Sequence, residues 1–231
     1  AMKDHAAQLL VKRLKVLEYG DYMAEESLDD GTLLKVCIHH SNQRLKFDFT
    51  GTKLLHEGNL NATPAIVNSV ILYVLRLLVS GSIPMNEGLL QQVEVILPHC
   101  LLNPPFSADP EHCPPVVGGN VETSQRLVDL LLKALRLAGC SQGTMNNVIF
   151  GNESVSYYET VCGGVGATNE NSGAHAIHSH MTNTAITDPE ILEMRYPVRL
   201  HRFAIDSNSG ISRPIPRSAM LLPTTPPLEG L

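Results

Sequence analysis

Three histidines, His175, His178 and His180, stand close together in the stretch HAIHSHMTNTAITDPEILEMRYP. In an extended segment side chains alternate, so His178 and His180 would share a face. Two imidazoles on one face suit a shared metal, with His175, Asp188 or Glu159 as a third ligand. They equally suit proton transfer, one ring as general acid or base and the other as a donor. The structural alternative is a pair of rings satisfied by backbone carbonyls in a glycine-rich loop. Just beyond, Thr187-Asp188-Pro189-Glu190 reads as a helix start. Thr187 or Asp188 caps it, Pro189 occupies the first turn, and Glu190 adds favourable charge.

Other polar stretches could orient a substrate. SQGTMNN supplies Ser141, Gln142, Thr144, Asn146 and Asn147, whose amides and hydroxyls can hold an amide or carboxylate without bringing charge. Packed turn chemistry explains the same residues. Gly118-Gly119-Asn120 precedes a helix, where backbone amides can receive an anion; the alternative is a tight turn. CGGVGA, from Cys162 to Ala167, lacks the rest of a dinucleotide fingerprint and reads better as a backbone turn lining a pocket. Cys162 is a nucleophile candidate or an inert thiol. Asp48 is either a solvent-facing strand residue or a buried anchor.

The elements that must position these residues are legible in part. Leu9, Leu10, Leu14 and Leu17 mark a helix over 2–18. TLLKVCIHH and LKFDFTGT read as strands, with SNQR as the hairpin loop between them. Thr63 caps a helix that starts at Pro64 and closes at Gly81. VEVILP is a strand, and NPPFSADPEHCPP an extended loop. ETSQRLVDLLLKALRLAG is a helix with Gly139 at its stop. From Cys140 on, Gly, Asn, Ser and Thr dominate. The expected fold is mixed α/β (α+β), with helices packed on a mixed sheet and long Gly/Asn-rich loops.

Composition sets limits. The 231 residues are 43% hydrophobic and 17% charged, with a formal charge of −6. That permits a core and argues against a nucleic-acid or anionic-membrane binder. The stretch from Ala65 to Gly81 is too short and polar for a membrane span. Five widely spaced cysteines, without a C-x-x-C pair, fit reduced thiols and a cytoplasmic protein.

Several blocks in fixed order are more specific than any one of them. FDFTGT, GNLNATPAI, VVGGNVETSQRLVD, SQGTMNNVIFGN, YYETVCGGVGA and HSHMTNTAITDPEILEMRYPV together resemble the hydantoinase B / 5-oxoprolinase family, from about residue 2 to Gly210. The resemblance implies hydrolysis of a cyclic amide, such as ATP-dependent opening of 5-oxoproline to glutamate. It also implies that ATP with Mg binds on a hydantoinase A-like subunit or fused half, and that the enzyme is an oligomer. A carboxylase subunit of the acetone-carboxylase type and a non-catalytic assembly module are the rival readings. The catalytic candidates are His178, His180 and Glu159, and the substrate-binding candidates Asn146, Asn147, Asn183 and Gln142. The metal is unknown.

The chain also departs from the family. N-terminal blocks like G-T-H-L-P-D and G-H-H-x-D-x-G-G, where a divalent metal is expected, do not occur. Ala185 stands where the family usually has an Arg within T-N-T-R-x-T-D-P-E. Residues 1–210 therefore read as a partial domain. The Pro-rich 211–231 is atypical and is expected to reflect truncation or a frameshift. The isolated chain is expected to have little or no turnover.

Overall fold

The computed structural model describes residues 2–79, 81, 83, 85–182 and 184–205. Helix α1 spans Met2–Leu14 and buries Ala6, Ala7, Leu10 and Leu14 at helical spacing. It ends a turn earlier than the leucine pattern suggests. Three antiparallel strands follow: β1 (Gly20–Ser27), β2 (Leu33–Ser41) and β3 (Arg44–Asp48). In β2, Leu34, Val36, Ile38 and His40 are buried at period two. Asn42 and Gln43 join β2 to β3 with φ of 49° and 59°, the positive pair that a two-residue hairpin loop demands. After β3, Asp48 accepts from the Thr50 amide and fastens the turn.

Helix α2 (Pro64–Val79) carries the chain across to β4 (Val93–Ile96), which pairs parallel to β3. The sheet order is β1-β2-β3-β4. Its inner face meets α1, α2 and α3 (Thr123–Ala134) in one apolar cluster that includes Leu10, Ile38, Phe47, Ile71, Leu75 and Leu131. Its outer face pairs charges across strands in register: Asp21 with His39, Glu25 with Lys35, and Lys46 with Glu94. These pairs are exposed and contribute little stability; they mark a wet surface.

One expectation is corrected here, and one open alternative is decided in favour of a tight turn. Helix α3 does not run to Gly139. The Arg136 backbone turns left-handed at φ 55°, and the Leu137 amide bonds back to Leu132 while that of Arg136 bonds to Lys133. This is the closing pattern usually given to glycine. Gly118-Gly119 is no anion cradle. The Gly118 amide donates to Asn59 and the Gly119 amide to Val116. A Cβ on Gly119 would lie 2.3 Å from the Asn61 carbonyl oxygen. Glycine is needed there for close packing, not for a ligand. Beside it the buried Asn61 side chain accepts from the His56 amide and donates to the carbonyls of His56, Gly58 and Pro115.

Beyond α3 the architecture changes. β5 (Asn146–Gly151) and β6 (Ser156–Val161) form a separate ribbon, and β7 (Gly164–Val165) pairs with β8 (Ala174–His175). A short helix, α4 (Pro189–Arg195), follows, capped by Asp188 as its sequence implies. All five cysteines are free thiols. No described helix is long and apolar enough to cross a membrane.

Candidate functional site

Helix α3 is the spine on which the polar loops are hung. Glu122, at its start, Gln125 and Asp129 recur at three- and four-residue spacing, so they lie along one side of the helix. Each holds a different piece of the following chain. The Glu122 carboxylate accepts from the Thr144 hydroxyl and the Met145 amide. The buried Gln125 accepts from the Met181 amide and reaches the Thr144 and Ser179 carbonyls with its amino group. Asp129, 2% exposed, accepts from the Ser141 amide and hydroxyl at 3.0 and 2.9 Å.

Asp129 also engages His180, with Nε2 3.0 Å from its carboxylate. The Tyr73 hydroxyl lies 3.3 Å from the other ring nitrogen, and the two rings meet edge to face. A carboxylate at Nε2 keeps the proton there, so Nδ1 accepts from Tyr73. Burial raises the Tyr73 hydroxyl above its ordinary value, which keeps it a donor. Both nitrogens of His180 are therefore committed to holding the loop on α2 and α3.

His178 differs. Both of its ring nitrogens are buried and meet no hydrogen-bond partner, and the hydroxyl of adjacent Ser179 shares that condition. Leaving a buried polar atom unpaired costs about 1–3 kcal/mol, so such groups are rare; Nε2 of His40 in β2 is another. Glu159 lies within electrostatic reach of His178. Burial alone would raise the Glu159 carboxyl. Hydrogen bonds from the Tyr157 hydroxyl and from Thr187, with a smaller electrostatic effect of His178, outweigh burial and hold it below the usual carboxylate range. The pair thus sets an uncommitted imidazole beside an ionised carboxylate.

The extended-strand argument does not describe this segment. Ala176 and His180 both have left-handed backbone, with φ of 57° and 55°, so alternation breaks on either side of His178. His175 is exposed in β8. Among the described residues no three His, Cys, Asp or Glu side chains gather as a metal would require.

The amide candidates divide in the same way. The Asn147 oxygen accepts from Tyr158 and Thr160, and its amino group donates to the Met145 carbonyl. The Gln142 oxygen accepts from the Gly164 amide at 2.8 Å and its amino group donates to Thr144. Both clamp backbone. Asn146 is exposed on β5. Asn183 lies outside the described residues. Sequence reasoning missed Asp129, Gln125 and Tyr73. The available signal was an acid inside the apolar run RLVDLLL. A shallow groove elsewhere, between His39, Arg44, Gln92 and Glu94, holds no comparable group.

A mixed α/β layer with a polar arm held on one helix defines a class that known proteins share. The chain belongs to the Hydantoinase B/oxoprolinase family, whose model matches residues 1–211. It is 46% identical over 189 residues to 5-oxoprolinase 1 of Arabidopsis thaliana, covering 80% of this chain and 14% of that protein. It is 44% identical over 203 residues to the 5-oxoprolinase of Dictyostelium discoideum, covering 87% of this chain and 15% of that one. The chain thus spans about 15% of the length of these two relatives. Its fold resembles the ATP-dependent caprolactamase of Pseudomonas jessenii, with a TM-score of 0.72 at 22% identity, over 87% of this chain and 38% of that chain.

Proposed function

We propose that this chain forms part of an enzyme that hydrolyses a cyclic amide, with 5-oxoproline opening to glutamate as the reaction. Support comes from the 44–46% identity to proteins named 5-oxoprolinase. The structural observation that carries the site is the pair of unpartnered nitrogens on His178 beside ionised Glu159.

Opening a lactam adds one water across its C–N bond. The water oxygen bonds to the carbonyl carbon, the C–N bond breaks, and the nitrogen takes up a proton. In this reading His178 moves that proton, because an imidazole can both take and give one. Glu159 supplies a negative charge within electrostatic reach of that ring. His180, Asp129 and Tyr73 fix the loop that carries His178, and Asn146 and Asn183 remain candidates for orienting the substrate.

ATP with Mg belongs, in this proposal, on a hydantoinase A-like partner, where its hydrolysis supplies the driving force. The Gly118 and Gly119 amides donate to backbone carbonyls. The 231-residue chain alone is expected to open no 5-oxoproline.

The test uses the complete polypeptide that carries this region, co-expressed with a hydantoinase A-like chain. Glutamate release from 5-oxoproline is measured with and without ATP. ATP-dependent release is expected, and His178→Asn should lower kcat by about 10²–10⁴. A folded complex that releases no glutamate, or a His178→Asn enzyme with full kcat, contradicts the proposal.

A further inference from the structure

The β5–β6 ribbon has open strand edges among the described residues. It is a two-stranded sheet, and neither strand pairs along its outer edge among the described residues. Such a ribbon is marginal in water by itself.

Its two faces are unequal. On one, Phe150 stacks on Tyr157 and Tyr196 closes edge-on against both. On the other, Ile149 stands directly across from Tyr158. An aliphatic β-branched residue opposite an aromatic one is a stabilising pair on a covered sheet face. Here Ile149 is 72% exposed and Tyr158 59% exposed. The remaining residues of that face are Asn147, Gly151, Ser156 and Thr160, none of them charged. A solvent face normally carries charge, as the outer face of the β1–β4 sheet does. Ile177, Met181 and Met194, elsewhere in the same half, are exposed too.

We infer that the Ile149–Tyr158 face and the open edge of this ribbon are covered by an extended apolar segment of further hydantoinase B-type polypeptide. The Arabidopsis thaliana and Dictyostelium discoideum 5-oxoprolinases are roughly seven times longer than the region they share with this chain, so further polypeptide adjoins it in them. An open strand edge offers a row of amides and carbonyls that an added strand satisfies. Its alternate side chains would then meet Ile149 and Tyr158. An uncharged face selects an apolar segment over a charged one. The inference rests on family membership and is read by binding, so it stands or falls apart from cyclic-amide hydrolysis.

The experiment co-expresses this chain, tagged, with Arabidopsis thaliana 5-oxoprolinase 1 lacking the matched 189 residues. The two are expected to co-purify, with hydrogen exchange at the β5–β6 amides slowed at least about tenfold in the complex. Ile149→Glu with Tyr158→Glu should cut recovery at least about tenfold, while Met23→Ser on the outer sheet face leaves it unchanged. Ile149→Ser serves as the milder variant if circular dichroism shows the double variant unfolded. Absence of a complex between soluble partners, or recovery undiminished by these substitutions, overturns the inference. So does a homodimer of this chain, seen by ultracentrifugation, that Ile149→Ser dissolves.

Discussion

Between residues 2 and 139, three helices and four strands bury one continuous apolar cluster. Between 140 and 205, Tyr157 is the one large apolar side chain that is buried, and ten are exposed among the described residues. The first region follows the ordinary rule that apolar area removed from water holds a domain together. The second is attached instead by polar side chains projecting from α3: Glu122 to Thr144, Gln125 to Met181, Asp129 to Ser141 and His180. Hydrogen bonds are directional, whereas burial is not. The contrast teaches that the arm is positioned accurately without being stabilised strongly, which suits a segment that must present His178.

The largest test of this contrast is Asp129→Ala. It strips the acceptor from the Ser141 amide and hydroxyl and from the His180 ring, all in a buried setting. Leaving a buried donor without its acceptor costs about 1–3 kcal/mol. The arm should detach while β1–β4 and helices α1 to α3 persist, seen as weakened tyrosine near-ultraviolet dichroism with far-ultraviolet helix signal retained. Cooperative loss of both signals would break the distinction between the regions.

Gly119→Ala sharpens it from the other side. The added Cβ meets the Asn61 carbonyl within the first region, where overpacking costs about 1–3 kcal/mol. Since the arm depends on α3, both regions should lose stability together in a urea titration. A change confined to the arm would contradict this.

The smallest effect concerns pH. Glu159 has its folded-state carboxyl lowered, so its stabilisation is fully present above the ordinary carboxylate range of about 4. It is lost as pH falls through the lowered value, because the unfolded chain binds the proton first. Glu159→Gln should flatten the acid limb of the arm's stability profile. An unchanged acid limb would show that the Tyr157 and Thr187 bonds do not favour the carboxylate.

Much of the first region is legible in the sequence. Helix α2 begins at Pro64 behind a Thr63 cap, and SNQR makes the predicted hairpin. β1 went unread because Asp21, Met23 and Glu25 face solvent and Ala24 is its one buried residue, so alternation leaves little trace. The family was readable from its blocks, since the matched residues are many and ordered. The site was readable only as a neighbourhood. His178 and His180 were visible, yet their division into a free ring and an anchored one depends on left-handed turns at Ala176 and His180. It also depends on an acid 51 residues away, Asp129. Local sequence gives little signal for either, because non-glycine residues take that backbone uncommonly and no hairpin or helix end marks these two positions.

The most direct measurement is native-state hydrogen exchange on the isolated chain, read region by region. The account predicts strong protection in β2, β3, α2 and α3, and protection weaker by at least about a hundredfold in β5 and β6. Uniform protection across both regions would contradict it, because the arm would then share the stability of the apolar layer and need nothing further to complete it.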